Sequence, residues 1–292
     1  MTAEDQLANS LGVDYAIEQT PIGTYLINYI VAGKGKPLLL LHGANIGWGQ
    51  WYRNIGELSM HFTVYAIDLP GAGFSTKINF RKINFQKDFI DIISKFITEK
   101  KLLEINVIGH SIGGWLATQL VLHNKDLVRM LVLVDPLGFT HQIPHQHRLM
   151  AFYPFAKLLS EKVFSPTPKH MRKFLESVMY NPSSLDQNLV EYLAVHVQRD
   201  SMRHPFFFIN RLITPLGIRK EFILTKNELS SINQNTLIIM GDKDPLIMPK
   251  RVAEKSAHLP NVHIEIFPDT GHIPPIEKYH RFNKTVLEFF SI

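Results

Sequence analysis

One serine in this sequence is placed for covalent chemistry. Gly109-His110-Ser111-Ile112-Gly113 follows an apolar run and precedes a helical pattern. Between a strand and a helix, such glycines permit a sharp turn that leaves the serine projecting alone. The helix N-terminus beneath it favours developing negative charge. A serine hydroxyl is a weak nucleophile and needs a base. Of the fourteen histidines, His272 in Pro268-Asp-Thr-Gly271-His272-Ile273 follows the last expected strand, and its loop opens at the same sheet edge as Ser111. An imidazole base needs an acid to hold its tautomer. Asp242 and Asp244 follow the preceding strand, and Asp135 ends an earlier one at that edge. The order Ser111, Asp244, His272 is that of one lineage of catalytic triads.

These residues need a sheet to converge on. Short apolar runs at Tyr15–Gln19, Thr24–Val31, Pro37–Leu41, Phe62–Ile67, Ile105–Ile108, Val128–Val134, Thr236–Met240 and Val262–Phe267 read as strands. Between them, Phe85–Lys100, Ile112–Asn124, Pro249–His258 and Ile276–Phe290 read as helices. Alternation of this kind predicts an α/β protein with a mostly parallel sheet flanked by helices. It stops from Phe139 to about Gln234, where the pattern is helical and broken by prolines. That interruption is too long for a loop. The expected organisation is a core of residues 1–138 and 235–292 with a helical insertion at 139–234.

Composition narrows the chemistry. The 292 residues are 45% hydrophobic and 20% charged, which fits a globular protein and argues against disorder. The absence of cysteine removes disulfides, thiolate metal sites and a cysteine nucleophile. No apolar run approaches the ~18 residues of a membrane span. The start, MTAEDQLANS, has no apolar stretch of the secretory kind, so a cytoplasmic location is expected. The net charge of +5 lies in the insertion, which has twelve Lys and Arg against seven Asp and Glu, while the remainder has nineteen of each. No nucleic-acid motif accompanies the basic residues, so no nucleic-acid partner is expected. They leave room for weak contact with an anionic membrane surface or an anionic substrate. His141, His145 and His147 are interrupted by Pro144 and lack a metal-binding helical spacing, so no metal is expected. Nothing in the residues sets an oligomeric state.

Over nearly its whole length the chain resembles the α/β-hydrolase superfamily. Leu38-Leu-Leu-Leu-His42-Gly43 resembles the family's oxyanion strand and turn, and Asp68-Leu-Pro-Gly71-Ala-Gly73-Phe-Ser75 its D-x-x-G-x-G-x-S turn. Gly109–Gly113 is similar to its nucleophile elbow, and Gly241-x-x-Asp244 and Gly271-His272 to its acid and base signatures. The insertion falls where the family carries a cap. The resemblance implies Ser111 as nucleophile, His272 as base and Asp244 as acid, and places the acid at Asp244 rather than Asp242. Asp135 is then expected to cap the turn with Pro136. Backbone N–H groups of Ala44 and Ile112 would form the oxyanion hole, with no cofactor. Asn45, Ile46, His110, Leu137 and Ile273 flank these positions and are expected to line the substrate site. Asp68 and Ser75 are expected to satisfy backbone groups of their turn.

The segment from Thr167 to Ser183 resembles the caps of two groups, meta-cleavage carbon–carbon bond hydrolases and monoacylglycerol-lipase-like esterases. Against the first, this chain has Ala44-Asn45 where extra glycine is usual, His110 where Asn precedes the nucleophile, and Ile273 where Trp follows the histidine. The position of that group's carboxylate-binding arginine falls at Leu193. Apolar residues Phe152, Tyr153, Phe155, Leu158, Leu159, Phe206–Phe208, Leu212 and Ile213 suit an apolar substrate or a cap core. A haloalkane dehalogenase is disfavoured because it would carry Asp at position 111. The expectation is a serine esterase acting on a small-molecule ester with a hydrophobic acyl group. Carbon–carbon, lactone or thioester cleavage on the same scaffold is the alternative, and a hydrolase-like receptor a more distant one.

Overall fold

The computed structural model describes residues 1–44, 46–80, 82–144, 148, 151–152, 167–199 and 204–291, with backbone alone at 184, 198, 199 and 204–207. Eight strands form one sheet: β1 (Tyr15–Ile22), β2 (Tyr25–Ala32), β3 (Lys36–Leu41), β4 (Phe62–Ile67), β5 (Ile105–His110), β6 (Val128–Val134), and two later strands. A two-residue ladder, β7 (Ile213–Thr214) with β8 (Gly217–Ile218), lies apart from it. β9 (Asn235–Gly241) and β10 (Val262–Phe267) complete the large sheet, whose order is β1-β2-β4-β3-β5-β6-β9-β10. β1 and β2 are a hairpin, β2 pairs antiparallel with β4, and all other pairs are parallel.

Period-two alternation divides the central strands between two cores. Leu39 and Leu41 of β3 enter one core with Val107, Leu131, Leu133, Ile238 and Met240. Leu38 and Leu40 enter the other with Ile108, Val132, Val134, Leu237 and Ile239. Helices cover both faces, which is why these strands are continuous apolar runs. The helices Ile90–Glu99 and Ile112–His123 pack on the first face, and Ala3–Asn9, Ile55–Leu58 and Tyr279–Phe289 on the second. β3 and β5 are neighbours, and the chain runs on from β3 to β4 on one side and from β5 to β6 on the other. Such a switch point opens a crevice where α/β sheets bind ligands.

The strands fall where the sequence places them, with modest differences at the ends. Three helical details differ. Ala3–Asn9 is a helix closed by a Thr2–Asp5 capping box. The expected Phe85–Lys100 helix begins as a π-turn over Phe85–Phe89, and the expected Ile276–Phe290 helix breaks at Lys278. Within 139–234 the described α-helices are Pro168–Val178, Gln187–Arg199, His204–Leu212 and Lys226–Ser230, with short 3-10 turns at Pro182–Ser184 and Lys220–Phe222. Among the described residues of 139–234, the β7–β8 ladder departs from the expected helical pattern. It is turned by Pro215-Leu216, with Gly217 at φ 134° pressed against the His141 carbonyl.

The turn after β4 is held by Asp68. Its Oδ1 accepts from the Trp48 N–H (2.7 Å), and its Oδ2 from the Phe74 N–H and Asn28 Nδ2 (2.8 Å each). Ser75 Oγ donates to the Asp68 carbonyl and accepts from the Asn28 N–H. Burial pushes the Asp68 carboxyl up to about 7, while those donors oppose the rise. Gly73 passes so close that a Cβ there would lie 2.0 Å from the carboxyl carbon. Asp68→Asn forces an NH2 group against a backbone N–H, and the expected loss is ~2–3 kcal/mol. Chemical denaturation checks this; an unchanged midpoint would remove Asp68 from the turn's support.

Candidate active site

β5 ends at His110 and the next helix begins at Ile112, so Ser111 makes the whole turn. Its φ of 54° and ψ of −116° lie where a residue with a Cβ is strained, by roughly 1–3 kcal/mol. Two glycines make the turn sterically feasible. A Cβ on Gly109 would stand 2.3 Å from the Gly113 carbonyl oxygen, and one on Gly113 2.3 Å from that of Leu41. The Ser111 N–H donates to the Val134 carbonyl (2.9 Å), and its own carbonyl accepts from the Leu137 N–H (3.0 Å). Both ends of the strained residue are thereby tied to β6 and the loop after it.

His272 follows β10 and is held on three sides. Its N–H donates to the Val178 carbonyl at the end of the helix Pro168–Val178 (2.8 Å). Glu277 accepts from the N–H groups of Gly271, Tyr180 and Asn181, joining the histidine loop to the insertion. The His272 Nδ1 lies 2.7 Å from Asp244 Oδ2, with the Asp244 side chain sealed from solvent. Asp244 Oδ1 accepts from the N–H groups of Leu246 (2.7 Å) and Ile247 (3.0 Å). A carboxylate so placed orients the ring and leaves Nε2 as its free nitrogen. Asp242 instead pairs with Lys243 at the surface (3.0 Å). The Asp135 carboxyl does not cap the turn with Pro136; its Oδ1 accepts from the Gly241 N–H of β9 (3.1 Å).

Two other histidines surround the crevice. His42 Nδ1 faces the Gly43 carbonyl, and its Nε2 accepts from the Leu69 N–H (2.9 Å), which fixes a neutral tautomer. Burial lowers its pKa to about 4. It ties the turn after β3 to the turn after β4. His110 lies between Gln50 Oε1 (3.0 Å from Nδ1) and the His272 carbonyl (2.6 Å from Nε2). Burial holds its pKa well below the usual histidine value, so the ring is neutral and donates to one oxygen at a time.

A cavity of about 170 Å³ opens over the serine. Ser111, His272, His110, Ala44, Ile46, Leu137 and Ile273 all line it. Ile112 lines a smaller void with Ala44, His42 and Phe208, and Asn45 lies outside the described residues. The insertion supplies Phe174, Val178, Ile209, Leu212, Ile213 and Ile218, and the acid loop Leu246 and Ile247. Sequence reasoning named Leu212 and Ile213 among these. Val178 belongs to the buried stripe Met171, Leu175, Val178 of its helix, a signal that marks burial without marking the cavity. Besides Ser111 and the two imidazoles, the lining is hydrocarbon, and no Lys or Arg is among the described residues that form it.

Other expectations resolve differently. Leu193 is buried in the second core and does not line the cavity. Phe208 packs edge-on against Phe80 and Phe85, a core role. Tyr153, Phe155, Leu158, Leu159, His145 and His147, and the side chains of Phe206 and Phe207, lie outside the described residues. Among the described residues, His110, Asp135 and His272 form one grouping with metal-ligating atoms within 4.8 Å of one another. Both ring nitrogens of His110 and Nδ1 of His272 already face protein partners, so the grouping lacks three convergent lone pairs.

The sequence model of the alpha/beta hydrolase fold matches residues 36–279. The chain belongs to the α/β-hydrolase family, and it is a hydrolase of that family. It is 29% identical to a soluble epoxide hydrolase of Corynebacterium sp. (strain C12), over 94% of this chain and 96% of that protein. It is 21% identical to a 2-hydroxy-6-oxo-6-phenylhexa-2,4-dienoate hydrolase of Burkholderia cepacia, over 94% of each. In fold it is similar to naproxen esterase (carboxylesterase NP) from Bacillus subtilis, with a TM-score of 0.81 at 21% identity, covering 99% of this chain and 95% of that one. No helix among the described residues is long and apolar enough to cross a membrane.

Proposed function

We propose that the protein is a serine hydrolase that cleaves a carboxylic ester of a small apolar acyl substrate. The observation that carries this reading is the strained Ser111 at a hydrocarbon-lined cavity shared with His272, whose Nδ1 is held 2.7 Å from Asp244. Ser111 Oγ attacks the ester carbonyl as His272 Nε2 takes its proton. Asp244 stabilises the imidazolium that results. The N–H groups of Ala44 and Ile112 receive the oxyanion, each worth roughly 3 kcal/mol in the transition state. The imidazolium then protonates the departing alkoxide, leaving an acyl-serine. Water, deprotonated by the same imidazole, releases the acid and restores Ser111. In this reading residues 139–234 are a cap over the core of 1–138 and 235–292, and the hydrocarbon they contribute selects the acyl chain.

Carbon–carbon hydrolysis of a dienoate requires a cation for the substrate carboxylate, preferably a bidentate arginine. The lining of the cavity supplies none among the described residues, and Arg172 donates to Gln187 at the surface. Neutral medium-chain esters are therefore expected to show higher kcat/KM than any anionic dienoate. Each added methylene contributes up to ~0.8 kcal/mol until the cavity is full, so efficiency climbs with chain length and then levels. The test is kcat/KM over an ester series, a dienoate, a lactone and a neutral epoxide at two salt concentrations. A preference for the dienoate that weakens with salt would assign carbon–carbon cleavage. A preference for the epoxide would move the reaction to that of the Corynebacterium relative.

A further inference from the structure

Asp135 has no part in the scheme above, yet it is a fully buried carboxyl at the centre of the site. It directly follows β6 at φ 41°, a conformation that its N–H bond to the Ile239 carbonyl (2.9 Å) helps to hold. Its Oδ1 accepts from the Gly241 N–H, but Oδ2 is sealed from solvent with no donor aimed at it. β6 lies beside β9, whose last residue Gly241 bonds to Asp135 and leads into the loop that carries Asp244. The two carboxyls flank one imidazole: Asp244 Oδ2 is 2.7 Å from His272 Nδ1, and an Asp135 oxygen lies within 4.8 Å of ligating nitrogens of His272 and His110. Two neighbouring carboxyl groups held out of water beside one imidazole are not both readily ionised. Three donors converge on Asp244, namely the Leu246 and Ile247 N–H groups and His272 Nδ1, whereas Asp135 has one. The charge belongs where the donors are.

We propose that Asp135 is a neutral carboxylic acid whose hydroxyl donates to the Asp244 carboxylate, making it a positioning residue for the acid of the triad. This rests on the assignment of Asp244 as that acid. The bond gives the buried Oδ2 oxygen a role and supplies Asp244 with a fourth donor. It also limits the pair to one negative charge facing His272. Burial and the adjacent Asp244 raise the Asp135 carboxyl well above its ordinary value, with Glu277 adding to the rise and the Gly241 N–H opposing it. The remaining titratable neighbours are His272 and His110, and burial keeps the His110 imidazole neutral.

Asp135→Asn tests this directly, because Asn keeps an acceptor for Gly241 and a donor for Asp244. Expected are a kcat/KM within about threefold of the native protein and an acidic midpoint of its pH profile moved by less than about 0.3 unit. A midpoint lowered by a unit or more would show that Asp135 carries a charge, and would overturn the proposal. Asp135→Ala removes the donor and is expected to lower kcat about tenfold or more with little change in KM; native kcat and pH profile would also overturn it. Two readouts need only Asp135→Asn and stand even if the alanine variant does not fold. The infrared difference spectrum between native protein and Asp135→Asn at neutral pH should contain a protonated-carboxyl stretch. In addition, the native Asp135 keeps a proton that the unfolded chain releases above its ordinary value of 3.8. Stability linked to this group is therefore present below that pH and lost as pH rises, so the stability gained by Asp135→Asn should grow from pH 4 to pH 8. An absent band, or a gain independent of pH, would overturn the shared proton even with Ser111→Ala and Asp244→Asn inactive. A band together with an active Ser111→Ala would overturn the triad, and with it the positioning role, while leaving the shared proton in place.

Discussion

Ser111→Ala is expected to lower ester turnover by roughly 10³-fold or more in a protein that still folds. The loss is large because the proposed reaction splits hydrolysis into formation and breakdown of an acyl-serine, and no second hydroxyl occupies the elbow. What survives is the contribution of the oxyanion hole and of substrate positioning. The fold should tolerate the change. The Ser111 backbone bonds to Val134 and Leu137 involve main-chain atoms alone, and alanine accommodates the turn no worse than serine. Steady-state kinetics on a medium-chain ester, with thermal denaturation of the same preparation, measures both. Native-like turnover in a folded Ser111→Ala protein would remove Ser111 from the chemistry.

Asp244→Asn is expected to cost on the order of 10⁴ in kcat. The amide can present its oxygen to the Leu246 and Ile247 N–H groups, but it then turns NH2 toward His272 Nδ1. An imidazole that accepts there carries its proton on Nε2, facing Ser111, and cannot take the serine proton. Asp242→Asn should be far milder, since Asp242 pairs with Lys243 at the surface. Asp135→Asn should also be milder, because an amide reproduces the neutral acid. If Asp135→Asn were the severe variant and Asp244→Asn the mild one, the acid of the triad would lie at the end of β6. Kinetics of the three variants on one ester decides the order.

The parts of the fold that were legible in the sequence are those set by local periodicity. Leu38–Leu41 is a run of four leucines that fits a strand covered on both faces, and the structure sends alternate members into two cores. The elbow glycines were legible for a related reason. Gly109 and Gly113 stand where backbone approaches backbone too closely for any Cβ. Less visible was the break at Lys278, where the hydrophobic stripe runs on through a kink in the main chain. The N-terminal helix carries its capping box in Thr2 and Asp5, but seven residues are too few for periodicity to stand out. The cavity was legible only in part. Ile46, Leu137 and Ile273 adjoin motif residues, whereas Phe174, Val178 and Ile218 reach it through the packing of the insertion. The approach of Asp135 to the loop that carries Asp244 depends on β6 lying beside β9, a neighbour relation that residues 135 and 244 do not themselves encode.

In the proposed mechanism Ser111 is a nucleophile activated by His272. A fluorophosphonate reads this without knowledge of the substrate, because only an activated serine displaces fluoride to form a stable phosphonyl ester. Intact mass after incubation should show one adduct per chain, and peptide mapping should place it on Ser111. Labelling should be absent in Ser111→Ala and greatly slowed in Asp244→Asn. An unlabelled native protein, or an adduct on another residue that persists in Ser111→Ala, would contradict the account.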